Sequence, residues 1–173
     1  KNKTGNLSDI DNYQAIAIST ALSKLFENVL AIYVKSSDHF DTYQFGFTAG
    51  HSTGMCTSVL KRTVDCYTSR DSHVIAAFID FSKAFDRVNY WKLFHMLLDD
   101  HVNVDVVRVL AYWYVNQLSC VRWHNCLSGF FNLGNGTRQG SVLSPWLFAR
   151  YIRGLLAEIV SSRIGCNIGG VVI

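Results

Sequence analysis

The chain has 173 residues, 49% hydrophobic and 13% aromatic, and a formal charge of +3 at pH 7. This length and apolar content suit a folded domain with one sizeable core and exclude a disordered tail, while so mildly basic a charge permits a polynucleotide partner without showing one. No apolar run approaches the roughly 20 residues of a membrane span, and the five cysteines, odd in number and without a CxxC pair, argue for reduced intracellular thiols over a disulfide framework, zinc site or redox centre.

Residues 1–15 (KNKTGNLSDIDNYQA) are polar and rich in Asn, Asp and Gly, so they form a loop that carries Lys1 and Lys3 toward solvent. From Ser19, the spacing of Leu22, Leu25, Phe26, Val29, Leu30 and Tyr33 predicts an amphipathic helix packed through that face. Residues 36–53 suit a loop, followed by a second helix from about Ser52 to Tyr67. Residues 74–79 (VIAAFI) are a short apolar run of strand length without alternation, which predicts a central strand covered on both faces.

Helices are then expected at 89–99 and 104–118, the second with Val104, Val107, Leu110, Ala111, Tyr114 and Leu118 on one face. A hairpin follows at 119–135, in which Cys120, His124 and Cys126 are packed or edge residues rather than metal ligands. The last helix runs from about Ser144 to Ser162, with Ser144 as N-cap and Pro145, the only proline, in the first helical position. The chain begins at Lys1 rather than Met, and residues 169–173 (GGVVI) read as a strand beginning, so the expectation is a section of a longer polypeptide.

Two stretches carry chemistry. In FIDFSKAFDRV, residues 78–88, an apolar strand delivers Asp80 at its carboxyl end. A carboxylate there is either a ligand for a hard cation such as Mg²⁺ or the start of a turn bonded to nearby backbone N–H groups, and the spacing alone leaves both open. Asp86 sits just before a helical pattern and reads as its cap. In GTRQGSVLSP, residues 136–145, a glycine loop opens into a helix, and its N–H groups together with Arg138 and Gln139 suit phosphate or a base edge, although an ordinary turn fits as well. A phosphohydrolase that pairs Asp80 with Asp86 fits less well, because no third ligand or lysine partner follows.

Taken together, in this order and spacing, FIDFSKAFDRV and GTRQGSVLSPWLF resemble motifs A and B of the non-LTR (LINE-type) retrotransposon reverse transcriptases. NYQAIAISTALSKLFENVL resembles the lead-in to that family's first helix, QFGFTAGHST its QFGFR…HST segment, and YWKLFHMLL its helix after motif A, so the resemblance covers nearly the whole chain.

The resemblance implies an α+β fold, a reverse-transcriptase fingers and palm fragment with helices packed on a small palm sheet. Residues 1–72 are fingers-like and 73–173 palm, with motif A near 78–88 and motif B near 136–148, and the thumb and the motif C hairpin are not expected in this chain. The implied function is RNA-directed DNA polymerisation in a longer parent, with an RNA template, a DNA primer, dNTPs and two Mg²⁺ ions.

Asp80 matches the catalytic metal ligand. Phe81, Ser82 and Phe85 match the places for the triphosphate and sugar, and Gln139 and Gly140 the loop against the nascent base pair. Lys3 and Gln14 join the nucleotide-binding set, and Arg138 and Ser141 the template and primer contacts. The further partners implied are the rest of the retrotransposon polyprotein, with motif C, thumb and a possible endonuclease domain, in the nucleus and cytoplasm and without a membrane.

The sequence departs from the family in three places. Gln14-Ala15 stands for Arg-Pro, Thr48 for a basic residue, and Arg153-Gly154 for Asn-Asp. The motif C string Tyr/Phe-Ala-Asp-Asp does not occur, so the chain by itself is expected not to polymerise. The alternative is a catalytically dead remnant that keeps the fold and weak nucleic-acid binding.

Overall fold

The computed structural model describes residues 5–6, 8–13, 15–35, 43–169 and 171–172. Five helices and three two-stranded antiparallel pairs make up its regular structure beyond short 3-10 helices. Among the described residues the architecture is therefore mixed helix and small sheet, as expected at that level, with the core built by helices.

Helix α1 spans Ala21–Lys35 and buries Ser23, Glu27, Leu30 and Val34. The apolar face expected from the sequence is rotated. Leu30 faces the core and Phe26 packs partly against it, but Leu22, Leu25, Val29 and Tyr33 are exposed. Periodicity weighs apolarity and so turns a carboxylate outward, whereas Glu27 has partners inside that favour its burial.

Helix α2, Thr53–Thr68, starts where the sequence places it, because the Ser52 hydroxyl accepts the Met55 N–H at 3.2 Å. The chain then leaves regular structure, and the expected strand at residues 74–79 is corrected: Ile75 is 97% exposed and Phe78 83%. A strand exists only through a neighbour that takes up its backbone groups. Among the described residues none pairs with this run.

Helices α3 (Tyr90–Asp99) and α4 (Val104–Val115) fall close to the predicted ranges. Asn89 and Asn103 cap them, their side chains accepting the Lys92 and Asp105 N–H groups. Asp86 therefore does not cap α3; it lies exposed in a 3-10 helix, Phe85–Arg87. Val107, Leu110 and Tyr114 of the expected α4 face are buried, while Val104 is half-exposed and Leu118 has left the helix for a strand.

The hairpin region pairs β1 (Leu118–Ser119) with β4 (Phe131–Asn132), and β2 (Arg122–Trp123) with β3 (Cys126–Leu127). Helix α5, Ser144–Ser161, is capped one residue earlier than expected. Leu143 is the N-cap, and Ser144 is already helical and fully buried. A last pair, β5 (Asn167–Ile168) with β6 (Val171–Val172), is tied to α2 by the Tyr67 hydroxyl, which donates to the Asn167 carbonyl at 2.8 Å and accepts its N–H at 2.7 Å.

Helix α3 packs between α4 and α5, and α1 lies against α4. Val34, Leu93, Leu97, Leu110, Leu143 and Leu147 fill the interior, with Tyr114 edge-on to Tyr90 at 5.1 Å between ring centres. This core ends at Leu143 and Leu147, and so presents the loop before α5 as its rim. No described helix is long and apolar enough to cross a membrane.

Candidate nucleotidyl-transfer site

The loop at residues 136–143 is built by close backbone approach. Gly136 has φ +90°, and a Cβ there would meet the Asp86 Cα at 2.8 Å and its carbonyl oxygen at 2.9 Å. Gly140 has φ +102°, and its Cβ would meet the Ala17 carbonyl oxygen at 2.8 Å. Both positions require glycine on conformation and space together.

Those approaches are hydrogen-bonded. The Gly136 N–H donates to the Val88 carbonyl at 2.8 Å and the Thr137 N–H to the Phe85 carbonyl at 2.8 Å, so the glycine loop is stitched to the turn that follows Asp80. On its other side, the Ala17 N–H donates to the Gln139 carbonyl at 2.8 Å. Three segments remote in sequence therefore meet at this loop.

A carboxylate closes it. Glu27, 2% exposed, takes the Arg138 guanidinium on Oε1 at 2.8 Å and the Val142 N–H on Oε2 at 2.7 Å. Sequence reading missed Glu27, because a glutamate in an amphipathic helix counts as outward; the signal available was its place in line with Leu30 and Val34 on one helical stripe. Nearby phenols stay neutral at ordinary pH. Burial pushes Tyr114 well above the usual tyrosine range, the Glu27 charge adding and Arg138 opposing, and burial also raises Tyr90.

The sequence-predicted residues divide by location. Asp80, Phe81 and Ser82 lie exposed, the first two outside regular structure and Ser82 in the turn that follows. Phe85 is half-buried, its ring 5.0 Å from Phe148 and 6.2 Å edge-on from Phe47 of the QFGF string, a packing role that leaves part of it accessible. Gly140 is exposed and Gln139 partly so, while Ser141 is 6% exposed. Arg138, expected toward template or primer, has its charge engaged by Glu27. Lys3 and Gln14 lie outside the described residues.

The sequence pattern of the family described as reverse transcriptase (RNA-dependent DNA polymerase) matches residues 1–169. The chain belongs to that family. It is 29% identical over 146 residues to a probable RNA-directed DNA polymerase from transposon X-element of Drosophila melanogaster, covering 81% of this chain and 16% of the relative. It is 30% identical over 152 residues to a probable RNA-directed DNA polymerase from transposon BS of the same organism, covering 80% of this chain and 16% of the relative. Both bear out the resemblance to retrotransposon enzymes, and the chain spans 16% of the length of each of these curated relatives.

Within this reverse transcriptase chain, the departure at Arg153 has a structural counterpart. Arg153 donates to Asp100 at 3.2 Å, and Arg150, 6% exposed, forms an ion pair with the other oxygen of the same carboxylate. The two arginines of α5 thereby share an acceptor at the end of α3. As for metal, no group of three His, Cys, Asp or Glu side chains among the described residues gathers to hold an ion. Asp80 fits as one hard oxygen ligand, and the described residues do not complete a Mg²⁺ site.

Proposed function

We propose that this chain supplies the fingers (1–72) and the first part of the palm (73–173) of an RNA-directed DNA polymerase of a non-LTR retrotransposon, Mg²⁺-dependent and active only in a longer polypeptide that adds motif C and a thumb. One observation carries the reading: the Phe85 and Val88 carbonyls hold the Gly136–Thr137 backbone, which sets the motif B loop beside the turn after Asp80. This contact between two chemically distinct stretches supports reading them as one site.

In this reading Asp80 is one ligand of two Mg²⁺ ions that supply the charge for nucleotidyl transfer. The exposed residues Phe81 and Ser82 receive the triphosphate, Phe85 lies beneath the sugar, and Gln139 and Gly140 lie against the nascent pair, where the side-chain-free Gly140 lets the template approach. Lys3 and Gln14 add nucleotide contacts, and Arg138 and Ser141 support the template and primer side. RNA template, DNA primer and dNTPs are the partners, together with the remaining polyprotein, in nucleus and cytoplasm.

The test is primer extension on RNA with dNTPs and Mg²⁺ by the complete element polypeptide, against its Asp80→Ala variant. The variant is expected to lose at least about a hundredfold in rate while keeping its fold. Equal rates for the two would refute the role of Asp80. A second reading, a catalytically dead remnant, draws on Gln14, Thr48 and Arg153-Gly154 standing where the family carries other residues; it predicts no extension by the unaltered polypeptide.

A further inference from the structure

Glu27 lies on α1, far in sequence from either motif, yet it is nearly fully buried and its two carboxylate oxygens are taken by the two ends of one loop. Oε1 holds the Arg138 guanidinium and Oε2 the Val142 N–H, and between these anchors lie Gln139, Gly140 and Ser141. The Ala17 N–H fixes the Gln139 carbonyl from the opposite side, and the Ala17 carbonyl leaves no room for a side chain at Gly140.

Burying a carboxylate and a guanidinium costs more than a simple packed pair of apolar side chains and gains little net stability. What such a pair does supply is directionality. A carboxylate that accepts a side-chain cation and a backbone N–H at once permits few loop conformations, where an apolar contact would permit many.

We propose that Glu27 is a positioning residue for nucleotide binding: acting through Arg138 and the Val142 amide, it fixes the conformation in which Gln139 and Gly140 meet the incoming nucleotide and its template base. On this assignment, which rests on the polymerase reading, Arg138 serves as the loop's internal strut rather than as a direct contact to template or primer.

The charged pair predicts a particular pattern on substitution. Glu27→Ala leaves the Arg138 charge buried without its acceptor and risks unfolding the chain, so the informative variants are Glu27→Leu with Arg138→Met, which removes both charges and keeps the volume, and Glu27→Asp, which keeps the charge on a shorter arm.

Hydrogen–deuterium exchange of this chain reads the loop directly. In the double variant, amides at 138–143 are expected to exchange at least about tenfold faster, while those of α3 and α4 stay protected as in the parent. Glu27→Asp should restore part of the protection. In primer extension by the complete element polypeptide, the double variant should raise the KM for dNTP about tenfold or more and change kcat less, because a misplaced binding surface weakens uniform binding first.

Unchanged exchange at 138–143 in a folded double variant overturns the positioning role. An unchanged KM with faster exchange overturns its link to nucleotide. The exchange result stands whether or not the polypeptide polymerises, so absence of extension by the unaltered protein counts against the polymerase reading and leaves the positioning of the loop by Glu27 to be decided by exchange alone.

Discussion

Replacing Gly136 with alanine tests the seam between the two motifs more directly than any change to a side chain. Its φ of +90° costs an L-residue about 1–2 kcal/mol. The new Cβ would stand 2.8 Å from the Asp86 Cα, a backbone atom that cannot swing aside, so the loop and the turn must separate. Separation stretches the Gly136–Val88 and Thr137–Phe85 hydrogen bonds, each contributing about 1 kcal/mol net.

The expected loss is therefore about 3–4 kcal/mol, a large part of the 5–15 kcal/mol that stabilises an ordinary domain. Gly134 is the control: it lies in the same loop with nothing within 4 Å of its would-be Cβ and no positive φ, so alanine there should be neutral or slightly stabilising through the unfolded chain. Urea unfolding followed by circular dichroism measures both. A Gly136→Ala variant within about 1 kcal/mol of Gly134→Ala would show that the motifs do not meet as closely as described.

Two further outcomes follow from charge and burial. Asp100→Ala removes the acceptor shared by Arg150 and Arg153 and should cost about 2–3 kcal/mol in the same unfolding measurement, whereas Arg153→Ala, at the more exposed of the two arginines, should cost under about 1 kcal/mol; equal losses would show that the buried pair is not the stronger one. Burial raises the Tyr114 phenol above its unfolded value near 10, so its neutral form stabilises the fold fully below pH 10 and that contribution falls as pH rises beyond it, by up to about 1.4 kcal/mol per pH unit. Tyr114→Phe should remove that share of the alkaline slope and leave the share from Tyr90, and a slope unchanged by the substitution would refute the assignment.

The helices were legible because their signals are local. Ser52 at the start of α2 and the spacing of Val107, Leu110 and Tyr114 each act within a few residues, so the sequence window contains the cause, whereas at α3 the expected cap Asp86 gives way to Asn89. The run at 74–79 was misread for the opposite reason: its apolar, β-branched composition states a preference for a sheet, but a strand is realised only by a neighbour, and no described segment provides one. Glu27 was invisible for a related reason, since the partners that favour its burial lie more than a hundred residues away. The glycine loop at 136–145 reads from sequence as a place for phosphate or a base edge, or as an ordinary turn; the close approach its glycines make is to the chain's own backbone at Asp86 and Ala17.

The segment before Asp80 has a bearing on handling the protein. Ile75, Phe78 and Ile79 stand in solvent, and among the described residues no strand pairs with their segment. Such a run, with high β preference and no proline, is the kind of template from which chains stack into aggregates as concentration rises. Arg70 and Asp71 ahead of it and Asp80 and Lys83 behind it place charges at both ends, where like charges from stacked copies would repel. The same Asp80 that is read as a metal ligand thus also acts as a gatekeeper of solubility, and neutralising it to probe catalysis removes one of the charges that keep this segment from recruiting its own kind.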